Sequence, residues 1–195
     1  MCGYAGFVGE VENREQVLEN MIDTIIHRGP DSSGKFVDED AALGFRRLSI
    51  IDLSESGDQP LYNEDRSKVL VFNGEIYNYQ ELREELIQAG HTFVSNTDSE
   101  TLIHGYEQWG EELVYRLRGM YAFAIWDQKA KRLFSARDIF GIKPLYYAQM
   151  NGTLMFGSEI KSFLEHPKFD KVFNEDALGN YLSFQFVPTN ETFFK

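Results

Sequence analysis

The stretch from Met120 to Gly157 limits the fold more than any other. It holds four short runs, Met120–Asp127, Arg132–Arg137, Lys143–Gln149 and Thr153–Gly157, separated by turn formers that include Gly141 and the Asn151-Gly152 corner. Runs this short, broken this often, predict an antiparallel meander. A second strand-rich region precedes it. Tyr4–Val8 stops at Gly9, Ala42–Ile51 places apolar side chains at Leu43, Phe45, Leu48 and Ile50, and Val69–Phe72 runs into Asn73-Gly74-Glu75. Asn-Gly is a common hairpin corner, which is the plain reading of that pair. Arg46 and Arg47 interrupt the second strand and read as solvated side chains.

Helical spacing fills the intervals. Val17, Met21, Ile22, Ile25 and Ile26 put one apolar face on a helix from Arg14 to Ile26. Asn78 with Glu81 reads as the cap of a helix that carries Leu82, Leu86 and Ile87 and ends at Gly90. Thr97-Asp98-Ser99-Glu100 opens another, with Asp98 as N-cap, and Glu111–Leu117 continues helically. Glu159–Leu164 and Glu175–Phe184 are also helical, whereas His27 to Gly34 and Asp52 to Leu61 read as loops. Val187–Lys195 reads as a connection with no partner of its own. Two strand-rich regions with helices between and after them imply an α+β layering of sheets covered by helices.

The 195 residues suffice for one packed domain. No apolar run is long enough to cross a bilayer, and no basic-then-apolar leader opens the chain. Nineteen Lys and Arg against 31 Asp and Glu leave a net charge of −12, which repels phosphate backbones and anionic lipid. Nucleic acid and membranes are therefore poor partners. The single cysteine forms no internal disulfide and suits a cytoplasmic location. Four histidines scattered along the chain suggest no metal site.

That single cysteine is Cys2, directly behind the initiator methionine. A small second residue favours removal of Met1, which would leave a thiol and a free α-amine on one carbon. An α-amine titrates near ~7.7–8, so it can take the thiol's proton at neutral pH. The competing reading of Cys2 is an incidental buried cysteine.

The motifs taken together resemble the class II glutamine amidotransferase domain, an N-terminal-nucleophile hydrolase, and in particular the glutaminase domain of glutamine-hydrolysing asparagine synthetases. The resemblance spans essentially the whole chain. It rests on Met1-Cys2-Gly3 with Gly6, His27-Arg28-Gly29-Pro30-Asp31, Arg47-Leu48-Ser49-Ile50, Gln59-Pro60-Leu61, Asn73-Gly74-Glu75-Ile76-Tyr77-Asn78 and Thr97-Asp98-Ser99-Glu100. Arg137-Asp138, Gly141-Ile142-Lys143-Pro144-Leu145-Tyr146-Tyr147 and Ser158-Glu159-Ile160-Lys161 complete it. Each is weak alone; their order is specific.

The resemblance implies a four-layer αββα sandwich, with a glutaminase domain over residues 1–185 and the start of a connection over 186–195. It implies Cys2 as nucleophile, with Asn73 and the Gly74 N–H as oxyanion donors. It places Arg47 on the α-carboxylate of L-glutamine and Asp98, joined by Glu75, on the α-ammonium. Backbone around Leu48 to Ile51 lines the pocket, which includes Ile50 and Ile51. His27 and Arg28 order the adjacent loop without a catalytic role. No cofactor is expected in this domain; ATP and Mg²⁺ belong to a synthetase domain, which the resemblance expects as C-terminal partner and which is missing here. A homodimer is compatible with the family. Two alternatives stay open: the same chemistry serving another ammonia acceptor, and a catalytically silent regulatory module.

Overall fold

The computed structural model describes residues 2–48 and 57–195. Met1, Ile50 and Ile51 lie outside the described residues. In chain order the elements are β1 (Gly3–Val8), α1 (Arg14–Asp23), a 3₁₀ turn (Ile26–Arg28), β2 (Ser32–Val37), β3 (Ala41–Arg47), β4 (Leu61–Tyr62), β5 (Lys68–Ile76) and α2 (Tyr79–Gln88). Then follow α3 (Asp98–Trp109), a 3₁₀ turn (Gly110–Tyr115), β6 (Gly119–Asp127), β7 (Arg132–Arg137), β8 (Tyr146–Met150), β9 (Thr153–Gly157), a 3₁₀ turn (Ile160–Glu165) and α4 (Glu175–Phe184).

The strands form two antiparallel sheets, ordered β2-β3-β1-β9-β8 and β4-β5-β6-β7. Period-two alternation assigns each strand residue to a layer. Ala5 and Phe7 of β1, Ala42 of β3 and Met155 of β9 pack under α1 with Leu18, Met21 and Ile22. Their neighbours Tyr4, Leu43, Phe45 and Phe156 face the other way and meet Val69, Val71, Ala124 and Trp126 of the second sheet. Leu70, Phe72, Phe123 and Ile125 point outward beneath Leu82 of α2 and Leu102, Ile103 and Tyr106 of α3. The result is helix, sheet, sheet, helix, with three apolar cores between four layers. Each fully buried Leu or Phe contributes roughly 1.5–3 kcal/mol of burial to this stack.

The predicted meander is corrected. β6–β7 and β8–β9 are both hairpin pairs, but they lie in different sheets. Turn residues mark where a chain reverses and carry no information about which sheet receives the next strand. Asp138 organises the crossing between them: its carboxylate accepts the backbone N–H groups of Tyr121 (3.2 Å), Ile142 (2.9 Å) and Lys143 (3.0 Å). The loop read from His27 to Gly34 ends early, because Ser32–Val37 pairs along β3 as an edge strand. Its Ser-Ser-Gly opening has no apolar alternation, so only the pairing makes it a strand. Residues 186–195 also have partners. Phe194 bridges Phe173, and Lys195 N–H donates to the Val172 carbonyl at 3.0 Å.

Candidate active site

The alternation that builds the cores also gathers the site. Cys2 precedes β1 on the face that Tyr4 shares, and it packs against the core between the sheets. Arg47 shares its face of β3 with Leu43 and Phe45, and Asn73 shares its face of β5 with Val69 and Val71. Three chemically unlike side chains therefore point into the space between the sheets, near one end of it. Arg46 points the opposite way, donating from Nε to the Ile22 carbonyl (3.2 Å) and pairing with Asp23 on α1. The reading of both arginines as solvated is corrected: Arg47 is only 8% exposed, and the Arg46 side chain only 11%.

Cys2 is held from two sides. The Leu48 N–H donates to Sγ at 3.4 Å, and the thiol faces the Leu48 carbonyl at 3.7 Å. Arg28 Nε donates to the Cys2 carbonyl at 3.0 Å, while its Nη1 bonds Glu159 Oε1, also at 3.0 Å. His27 Nε2 reaches the same Glu159 oxygen at 2.9 Å. Burial works to raise the Glu159 carboxyl, but Arg28, His27 and Lys161 outweigh it and hold the group below its ordinary range. The His27-Arg28 turn thus anchors the Cys2 backbone, with Glu159 holding the turn in place. That carboxylate stood in a quoted motif without a role, since 131 positions separate it from Arg28.

Asn73-Gly74 is no corner. Both residues lie inside nine-residue β5, paired with Ala122 and Tyr121 of β6. Asn73 Nδ2 is buried and, among the described residues, has no hydrogen-bond partner. A buried amide left unpaired costs on the order of 1–3 kcal/mol, so such a group points to a function elsewhere. Gly74 cannot be replaced cheaply: a Cβ there would lie 2.3 Å from the Met120 carbonyl oxygen and 2.7 Å from Tyr121 Cα. Among the described residues, β4 pairs with β5 only at Val69 and Leu70, so the rest of that edge has no strand partner. Along it, Phe72 N–H donates to Gln59 Oε1 (2.6 Å) and Ile76 N–H to Asp98 Oδ2 (2.8 Å). Strand alternation sets the Gly74 N–H between them on the same edge.

Asp98 is the first residue of α3, and Thr97 holds the N-cap position, so the capping assignment is corrected. The Asp98 carboxylate instead accepts from β5. Burial raises its pKa above the ordinary value; backbone hydrogen bonds oppose the shift and the nearby Glu75 charge adds to it. The partly buried Asp98 and the exposed Glu75 bring two negative charges close together, which favours a cation beside them. Asn78 likewise does not cap with its side chain, which bonds the Arg116 carbonyl and the Arg118 N–H (both 2.9 Å). Arg47 Nη1 bonds Asp58 Oδ1 at 2.8 Å, and Ser32 Oγ donates to the same oxygen at 3.1 Å. Its guanidinium already grips a carboxylate, the group its planar fork fits best.

The arrangement combines a thiol between backbone groups, an amide donor across the sheet gap that is unpaired among the described residues, a buried guanidinium, and a partly buried aspartate beside an exposed glutamate. The family model for the glutamine amidotransferase domain matches residues 1–195. The chain is 47% identical over 197 residues to asparagine synthetase [glutamine-hydrolyzing] 1 of Bacillus subtilis, covering 98% of this chain and 31% of that protein. It is 44% identical over 167 residues to asparagine synthetase [glutamine-hydrolyzing] of Zea mays, covering 83% of this chain and 28% of that protein. The chain thus spans under a third of the length of these relatives. Among solved structures, glutamine phosphoribosylpyrophosphate amidotransferase from B. subtilis, complexed with ADP and GMP, superposes with a TM-score of 0.71 at 23% identity. That match covers 83% of this chain and 43% of the other, and it supports the sandwich fold.

Proposed function

This chain belongs to the glutamine amidotransferase domain family, and we propose that it hydrolyses L-glutamine to glutamate and ammonia through a γ-glutamyl thioester on Cys2. Removal of Met1 frees the α-amine of Cys2, which takes the thiol proton. The thiolate attacks the side-chain amide carbon of glutamine, and the carbonyl π pair moves to oxygen. Asn73 Nδ2 and the Gly74 N–H receive that oxyanion. The C–N bond then breaks, with the leaving nitrogen taking its proton from the α-ammonium of Cys2. Water adds to the thioester, C–S breaks, and glutamate leaves with the thiol restored.

The substrate's charged ends suit the remaining groups. Arg47 takes the α-carboxylate; Asp98 and Glu75 take the α-ammonium. Ile50 and Ile51 line the same pocket. The observation that carries the reading is the buried, unpartnered Asn73 Nδ2 on the face opposite Cys2. A donor aimed at charge that exists only in the transition state has no ground-state partner.

The ammonia serves an ATP-dependent synthetase region of the kind that accounts for the remaining length of the relatives, and asparagine is the product there. ATP and Mg²⁺ act in that region, and no cofactor acts here. The exposed apolar side chains Leu178, Tyr181, Leu182 and Phe184 of α4 supply a surface for it. No described helix is long and apolar enough to cross a membrane, and we place the reaction in the cytoplasm.

Intact mass before and after an electrophilic glutamine analogue tests the reading. The expected result is a chain lacking Met1 that gains one label, blocked by glutamine and absent in Cys2→Ala, which releases no glutamate. Substantial glutamate release by Cys2→Ala overturns the mechanism.

A further inference from the structure

Two of the four histidines scattered in sequence meet in space. His91 follows Gly90 at the end of α2, and His104 lies in the middle of α3; their ring centroids are 5.2 Å apart. Glu107, one turn after His104, completes a cluster whose three ligand atoms all lie within 4.8 Å of one another. Glu107 Oε2 is 3.2 Å from His104 Nδ1 and 3.9 Å from His91 Nδ1. Around a tetrahedral zinc with bonds of ~2.0–2.2 Å, neighbouring ligand atoms sit roughly 3.3–3.5 Å apart. The Glu107–His104 pair is at that spacing, and the more accessible His91 is the ligand that would have to draw inward.

Each ligand is also oriented from behind. His91 Nε2 lies 3.1 Å from Gln108 Oε1, an acceptor, so Nε2 carries the proton and Nδ1 offers its lone pair to the cluster. His104 Nε2 faces Glu100 Oε1 at 3.5 Å. Glu100 is fixed by the N–H groups of Val94 (2.7 Å) and Ser95 (2.8 Å). The second oxygen of Glu107 accepts from Asn63 Nδ2 at 2.7 Å and lies 3.9 Å from Lys68 Nζ. Carboxylate behind histidine and a pinned second carboxylate oxygen are the supports that metal ligands use. Glu64, an exposed side chain before β5, has Oε1 3.8 Å from His104 Nδ1 and is within reach of the fourth position.

We propose that His91 Nδ1, His104 Nδ1 and Glu107 Oε2 bind one zinc-like transition-metal dication, joining the C-terminal end of α2 to the middle of α3. The residues are distinct from those around Cys2, and the proposal does not depend on the glutaminase reading. Without metal, a proton holds the position. Burial works to keep His104 neutral, but hydrogen bonds to Glu100 and Glu107 and the charge of Glu64 raise its pKa to about 9. Binding therefore expels the Nδ1 proton of His104. The groups facing it are Glu100 and Glu107 on α3, Glu64 before β5 and His91 after α2, with Lys68 of β5 acting through Glu107.

The test is a cobalt(II) titration followed by absorbance, with zinc competition and equilibrium dialysis, on purified protein carrying Cys2→Ser so that no thiol contributes. The expected result is one ion per chain with a tetrahedral cobalt spectrum, abolished or weakened more than ~100-fold in His91→Asn and in Glu107→Gln. His91→Asn is the primary variant because its ring lies at the surface of the cluster, and circular dichroism verifies that it folds. Absence of stoichiometric binding by the parent, or equal binding by a folded His91→Asn, overturns the proposal.

Discussion

Helix α3 carries polar chemistry at two places, and they are built on opposite terms. At its start, Asp98 joins the Cys2 region, where Asn73 Nδ2, Tyr4 Oη and Arg28 Nη2 are buried without partners among the described residues. Two turns later, His104 sits among Glu100, Glu107 and Glu64, and both of its ring nitrogens have carboxylate partners. The first region accepts the cost of idle donors, and the second is saturated by a proton. Idle donors suit charge that appears only during a reaction. A saturated cationic slot suits exchange of a proton for a metal. Buried polarity is therefore not one signal: donors stand unpaired around Cys2, whereas the ring nitrogens of His104 are fully engaged.

The largest expected effect tests the idle donor. Asn73→Ala should lower glutamine turnover by ~10²–10³ while thermal stability stays near that of the parent, because no ground-state hydrogen bond of Nδ2 is lost. Near-normal kcat, or a large fall in stability with kcat intact, would break the contrast. Arg47→Lys should act on binding. Losing one charge-assisted hydrogen bond of a bidentate pair costs ~1.5–3 kcal/mol, or roughly 10–100-fold in the KM for glutamine, with a smaller change in kcat. Steady-state kinetics in which KM is unmoved would remove Arg47 from the carboxylate clamp.

The smallest effect belongs to the saturated region and appears in the metal-free protein. The His104 pKa is raised on folding from 6.5 to about 9, so the folded state holds this proton more tightly. Its stabilising contribution is fully present below about pH 6.5 and is lost as pH rises through about 9. Urea midpoints measured with chelator should fall across that interval, and excess zinc should flatten or reverse the fall. Midpoints that climb over the same range would show that the cluster is not held by its proton.

Much of this was legible in the sequence because it depends on local chemistry. Thr153–Gly157, Arg132–Arg137 and Glu175–Phe184 form elements with the predicted bounds, since turn residues and apolar spacing act within a few positions. Cys2, Arg47, Asn73, Gly74 and Asp98 stood out through motif order. What could not be read was anything requiring a partner distant in the chain. β2 is a strand only because β3 offers it an edge, and β7 and β8 part company because pairing, not the intervening turn, chooses the sheet. Glu159 holds Arg28 and His27 across more than 130 positions, and Asp98 accepts from Ile76 of β5, 22 positions away.

By itself, then, the sequence determined the kinds of element, the layering class and the chemical inventory: one thiol behind the initiator, one Asn-Gly-Glu stretch, and arginine and aspartate at family positions. The tertiary structure alone decided which faces those groups share. Period-two alternation sends Cys2, Arg47 and Asn73 into one gap only when the two sheets are stacked with their inner faces opposed. It alone also decided that His91 and His104 meet, because the packing of α3 against α2 sets their separation. Backbone chemistry acts over a few residues, whereas burial and charge act through space, and the second kind of information exists only once the layers have closed.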